Sequence, residues 1–172
     1  MNIFYLHRDP KIAAQMQTDK HVVKMVLESA QLLSTTQRIV DGEHYIDASS
    51  GRRLQRWSHP VNNDILYKAT HFNHPSTKWV RESAANYKWL YEHFAALAAE
   101  YTKRYGKVHK SWSKLGEILS FTPEKIADKP FTTPPLVMPD EYKCGDPVQS
   151  YRNYYENEKL FIQEDIDRYM ML

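Results

Sequence analysis

The stretch from Thr18 to Arg38, TDKHVVKMVLESAQLLSTTQR, limits what this chain can fold into more than any other segment. At about 3.6 residues per turn, His21, Lys24, Glu28, Gln31 and Thr35 fall into one narrow sector of a helix. Val22, Val23, Val26, Leu27, Ala30 and Leu33 cover the faces on either side. A helix that is apolar on two sides belongs in a core, so its polar stripe cannot lie wholly in open water. An imidazole, an ammonium and a carboxylate on a half-buried stripe shift one another's pKa values, as acid–base chemistry requires. The plainer alternative is a solvated edge held by the Lys24–Glu28 pair at i,i+4 spacing.

A chain of 172 residues, 42% apolar and 13% aromatic, can build one domain over residues 1–172 with a proper core. No apolar run approaches the roughly 18 residues of a membrane span, so no membrane contact is expected. MNIFYLHRDP lacks the basic-then-apolar layout of a signal peptide. One cysteine, Cys144, excludes an internal disulfide and a multi-cysteine zinc site, and a reducing cytoplasm is expected (the host's, for a viral chain). Charge is uneven: residues 1–114 hold 17 Lys+Arg against 10 Asp+Glu, and residues 115–172 hold 6 against 11. The densest basic run, KRYGKVHKSWSK, interleaves Lys103, Arg104, Lys107, Lys110 and Lys114 with Tyr105, His109 and Trp112. Cations among aromatics suit a phosphate backbone and its bases, although a basic helix end satisfies the helix dipole equally well.

Asn2–Leu6 reads as extended or as a lone strand. Asp9-Pro10 opens a short helix, and Thr18 or Asp19 caps the striped helix, which runs to about Val40. Asp41–Pro60 reads as a long surface loop and Asp64–His71 as a short helix. The longest element is expected from Pro75 to Gly106, a single long central helix with Gly106 as its stop. Short helices fit Ser113–Phe121 and Pro123–Ala127, a proline-rich segment wraps the surface, and a last helix opens at Asp146-Pro147. The fold class is therefore all-α, a single compact helical domain. Phosphate-loop, dinucleotide and nucleophile-elbow motifs are absent. His71 and His74, with His21 or His59, suggest metal ligands, but Pro75 breaks their common face. Neither metal nor cofactor is expected.

The order Asp19-x-His21-x6-Glu28 near the N-terminus resembles the phage pyrimidine-dimer DNA glycosylases of the endonuclease V type. Asn73-His74-Pro75, leading to EYTKRYGK (Glu100–Lys107), is similar to cellular members of that family. YRNYY (Tyr151–Tyr155) resembles the aromatic, basic C-terminal segment the family lays against DNA. The resemblance implies a helical protein with a catalytic Glu28 and an N-terminal α-amine as nucleophile. Leu27 and Gln31 stand where the family keeps basic residues, and the bulk of Asn2 predicts that Met1 is retained.

These residues together predict a DNA base-excision enzyme, a glycosylase with or without AP-lyase activity. Met1 or Asn2 would supply the amine, and Glu28 would stabilise the cationic transition state. His21 and Asp19 would orient Glu28 or hold the flanking phosphate. Lys24, Arg52, Arg53, Arg56, His74, Arg81, Lys107 and Arg152 would bind DNA. Tyr151 and Tyr154 would wedge into the duplex as a nucleotide flips out. A monomer is expected. Two alternatives stay open: an enzyme on this scaffold that modifies or transfers to a DNA base or nucleotide, and a non-catalytic nucleic-acid-binding protein.

Overall fold

Local capping chemistry fixes where the helices begin. The computed structural model describes residues 1–172. The Asp9 carboxylate accepts the Lys11 N–H and Pro10 fills the first position of α1 (Pro10–Gln15). The Thr18 hydroxyl accepts the His21 N–H and starts α2 (Asp19–Asp41). The first half of α2 buries one side through Val22, Met25, Val26 and Ala30, whereas every residue from Leu32 to Arg38 is buried. Its main partner is α4 (Ala84–Tyr105), which presents Tyr87, Leu90, Phe94 and Leu97, all fully buried. Gly106 ends α4 in the left-handed conformation, at φ 73°. One cluster of 27 buried apolar residues joins Ile3–Leu6, α1, α2 and α4 to Tyr151, Tyr155 and Tyr169 near the C-terminus.

Several sequence expectations are corrected. Asp41–Pro60 is not a loop but an antiparallel hairpin, β1 (Glu43–Asp47) with β2 (Leu54–Ser58), in the register Glu43↔Ser58 to Asp47↔Leu54. The fold is therefore mostly helical with one two-stranded sheet, not all-α. Gly42 joins α2 to this hairpin: an added Cβ would stand against the carbonyl oxygens of Arg38 and Ser58. Asp64–His71 is not a helix: a turn ends at Ile65 and residues 67–70 have no regular structure. Pro75–Gly106 is two helices, α3 (Pro75–Glu82) and α4, because Ser83 is extended and its hydroxyl caps α4 by accepting the Asn86 N–H. The Ala84 N–H is taken by the Ala127 carbonyl, so the break is set by a distant segment. The segment expected as Ser113–Phe121 is α5 (Lys110–Leu115) followed by a 3₁₀ turn at Ile118–Ser120. Residues 123–127 are not helical.

At the C-terminus, Asp146 caps α6 (Pro147–Glu158) as expected, and α7 (Gln163–Met170) follows it unforeseen. Residues 2–6 pair with no strand. They thread through the core, with Phe4 at φ 55°, and Arg152 Nε donates to the Leu6 carbonyl. No helix is long and apolar enough to cross a membrane.

Candidate active site

Glu28 occupies the middle of the striped face of α2. Its Oε1 lies 3.7 Å from the Met1 α-amine, and its Oε2 lies 3.7 Å from Lys24 Nζ. Both distances exceed hydrogen-bond range, and Oε2 is buried with no hydrogen-bond partner. A buried carboxylate without donors is costly; two flanking ammonium groups supply the compensating charge. The chain end is pinned there by Asn2, whose Oδ1 accepts the Ile3 and Phe4 N–H groups and whose Nδ2 donates to the Val137 carbonyl. Asn2 thus braces the amine and turns its own side chain to the proline-rich segment.

The loop before α3 closes a second side. Thr70 N–H donates to Thr35 Oγ1 at 3.1 Å, fastening the loop to the stripe one helical stretch beyond Glu28. His71 adopts φ 48° and its Nδ1 meets Thr70 Oγ1. His74 Nδ1 accepts the Ser76 N–H and caps α3, which leaves the proton on Nε2 of the neutral ring. Burial, then the positive charges of the N-terminal amine and His71, push His74 below its ordinary pKa, while Glu28 opposes them. The loop therefore stands within electrostatic reach of the Met1–Glu28 pair. Its two histidine Nδ1 atoms are already engaged, His71 with Thr70 Oγ1 and His74 with the Ser76 N–H of α3.

His21 is held from the other end of the stripe. Tyr155 Oη accepts the Thr18 N–H at 2.8 Å and shares a second hydrogen bond with His21 Nδ1, also at 2.8 Å. Phe4 stacks on the imidazole with centroids 4.7 Å apart. Burial, followed by the charges of Lys159 and Lys24, lowers the His21 pKa to about 4. His21 is consequently neutral at neutral pH, with Nε2 as its unengaged ring nitrogen. Phe4 and Tyr155 were missed from sequence: apolar NIFYL and one tyrosine among several carried no signal of this contact.

The remaining expected residues separate into two groups. Lys24, Arg52, Arg53 and Lys107 are exposed, and Tyr154 is half-buried beside Tyr142 and Lys159. Others are spent inside the fold, which corrects their expected placement. Asp19 faces away from Glu28, pairing with Arg104 at 3.2 Å and Arg168 at 3.1 Å. Tyr151 is fully buried with its hydroxyl on the Pro135 carbonyl, so it cannot wedge into a base stack. Arg152 Nε holds Leu6, and Arg81 Nη1 holds the Phe72 carbonyl at 2.7 Å. Arg56 is engaged only in part: its Nη1 donates to the Ala69 carbonyl, while its Nε has no acceptor.

The two most voluminous clefts lie elsewhere. One, of about 770 Å³, runs between α1 and α4 past Lys11, Tyr91 and Ala95. The other, of about 810 Å³, lies between the hairpin base and residues 117–125. Unspent polar groups, rather than cavity size, mark the Glu28 site.

A family model described as pyrimidine dimer DNA glycosylase matches residues 1–114. That span contains Met1, the whole of α2, the hairpin and the loop before α3. No curated protein and no solved structure matches the chain.

Proposed function

The chain belongs to the pyrimidine dimer DNA glycosylase family, and from that premise we propose that it excises a DNA base through the Met1 amine and Glu28. The amine attacks C1′ of a nucleotide flipped from the duplex. The C1′–N bond breaks with its electron pair passing to the base, which takes up a proton. The attacking nitrogen gives a proton to Glu28, which passes it to O4′ as the C1′–O4′ bond breaks with its electron pair on oxygen. The opened sugar is left joined to the nitrogen as a protonated imine. The charge of Glu28 also stabilises the cationic sugar in the transition state. Again a carboxylate, Glu28 then removes a C2′ proton, and the C3′–O3′ bond breaks as the 3′ phosphate leaves by β-elimination.

The supporting residues have graded roles. Lys24 and the unengaged Nε2 edge of His21 serve the flanking phosphates, and Lys107 with the Arg52–Arg53 turn extends the contact along the backbone. Asn2 positions the amine, and His74 lines the site without touching the reacting atoms. The shared core that links Ile3 to Tyr169 supports reading residues 1–172 as one domain.

The approach of the Met1 amine to Glu28, at 3.7 Å, carries this reading. Borohydride trapping on a duplex with one abasic site should give a covalent adduct whose mass maps to the N-terminal peptide. Acetylating the terminus, or extending it by two residues, should abolish that adduct. Adduct formation by the blocked protein would transfer the nucleophile to another group. One observation favours a second reading, base modification without excision: Lys24 is the only lysine or arginine of α2 between Lys20 and Arg38, and exposed Val23 and Leu27 flank it. That reading requires activity on intact bases with no adduct on any DNA.

A further inference from the structure

A small cationic notch lies between the hairpin and the end of α2. Its volume is about 90 Å³, and Arg38, Tyr45, Arg56, Trp57, Asn63 and Lys68 line it. No carboxylate lines it, and none of its three cations takes part in any of the seven ion pairs of the molecule. The charges of Lys68 and Arg56 reach Asp47, whose Oδ1 is already occupied by Ser49 N–H and Oγ.

The three cations are not equivalent. Arg38 is only 5% exposed and places all five donors on Tyr67, Trp57, Asn63 and Leu66 oxygens, so it offers charge and no free N–H. Arg56 spends one Nη1 donor on Ala69, while its Nε–H is buried with no acceptor. Buried donors on a cation are rarely left empty, because they forfeit water without replacing it. Lys68 is exposed at the rim. The arrangement is an anion receptor: a fixed positive floor, an orphaned guanidinium donor and a flexible ammonium.

Size and position restrict the anion. A cavity of about 90 Å³ equals roughly three waters at about 30 Å³ each, which admits a phosphate group but no nucleoside. Arg38 lies ten residues beyond Glu28 on α2, or about 15 Å at about 1.5 Å per residue. At about 3.4 Å per nucleotide along one strand, that is roughly four nucleotides. One chain segment frames both places: Lys68 and Ala69 border the notch, Thr70 is tied to Thr35, and His74 stands by Glu28.

We propose that Arg56 and Lys68, backed by Arg38, grip one backbone phosphate of the DNA about four nucleotides from the one being processed. The proposal rests on the excision reading for the identity of its ligand. It describes a contact blind to base sequence, which fixes the register of the strand over Glu28.

Neutral methylphosphonate linkages, placed one at a time along each strand of an abasic-site duplex, test it by equilibrium binding. Wild-type affinity should fall about tenfold, the size of one charge-assisted contact, at a single position near four nucleotides from the abasic site. In a combined Arg56→Gln, Lys68→Ala variant that position should lose its effect, and the log–log salt slope should shrink by about 0.9. Lys68→Ala alone, at an exposed position, should show part of both effects with an unchanged melting temperature. Equal sensitivity in wild type and variant overturns the notch. Competition by inorganic phosphate with no position effect reassigns it to a free anion and also overturns the proposal. Borohydride trapping on the same duplexes is scored separately, so loss of the notch with trapping intact leaves the excision reading standing, and the converse result removes only that reading.

Discussion

Glu28 and Arg38 are two charged residues of one helix, both largely buried, and the protein treats them in opposite ways. Arg38 meets five oxygen acceptors at 2.7–2.8 Å and ties α2 to the hairpin and to the turns at residues 63–67. Glu28 has two ammonium groups at 3.7 Å and an Oε2 that no hydrogen bond reaches. A saturated buried charge organises the fold around itself; an undersupplied one keeps its hydrogen-bonding capacity for something else. The accounting of donors and acceptors, not burial alone, separates the structural charge from the candidate catalytic one.

The largest expected effects put that contrast to the sharpest use. Glu28→Gln should lower turnover on an abasic or lesion-bearing duplex by about 10²–10⁴-fold, the usual range for a lost general base. Its unfolding midpoint should stay near wild type, because the amide keeps the shape of the side chain. Arg38→Met should instead cost at least about 3 kcal/mol in urea unfolding, since hydrogen bonds to charged groups contribute about 1.5–3 kcal/mol each. Reversed outcomes, with Glu28→Gln unfolding easily yet active, would dissolve the distinction and return the stripe to an ion-paired edge.

A smaller effect compares two histidines. Burial pushes His93 to a pKa of about 4, and it engages both ring nitrogens, with the Pro10 carbonyl and with Gln17. His21 is lowered to about 4 as well but engages only Nδ1. Both are depressed from an unfolded value near 6.5, so the unfolded chain binds the extra protons. Stability is then fully present above about pH 6.5 and is lost as pH falls towards about 4. His93→Gln should flatten the dependence of melting temperature on pH in that window without touching DNA affinity measured at pH 7. His21→Asn should flatten it too and also weaken DNA binding. A His21 variant with unaltered affinity would make that imidazole structural like its counterpart.

Much of this organisation is legible in sequence where the determinant is local. Asp9-Pro10, Thr18 and Asp146-Pro147 mark helix starts because a cap and a fixed φ act within three residues. The stripe likewise places His21 and Glu28 on one face of α2. The hairpin was hidden because β1 is exposed along nearly its whole length, so its sequence shows no alternation. The break at Ser83 was hidden because Trp79, Val80, Tyr87 and Leu90 keep helical spacing across it, and the deciding contact comes from Ala127. In the site, the closeness of Met1 to Glu28 was signalled by family resemblance alone. Tyr155 beneath His21 and the Thr35–Thr70 tie are tertiary contacts with no local signature. Tyr151 and Arg152 misled for the complementary reason: an aromatic, basic segment suits DNA and a helix packed into a core equally well.

Lys24 gives the smallest effect and the most discriminating one. Its side chain is 66% exposed and lies 3.7 Å from Glu28 in an i,i+4 pair. Exposed pairs of that kind contribute about 0.3–0.5 kcal/mol, so Lys24→Ala should leave the melting temperature within about a degree or two of wild type. If the stripe exists for the ion pair, that small loss is all the substitution can do, and Glu28→Gln should match it. If the stripe faces DNA, the same substitution removes a phosphate contact, and the log–log salt slope of binding should fall by about 0.9. Turnover at saturating DNA should change far less than in Glu28→Gln, because Lys24 holds the strand and does not move the proton. An unchanged slope would confine Lys24 to its neighbour on the helix and leave Met1 as the sole cation that gives Glu28 its setting.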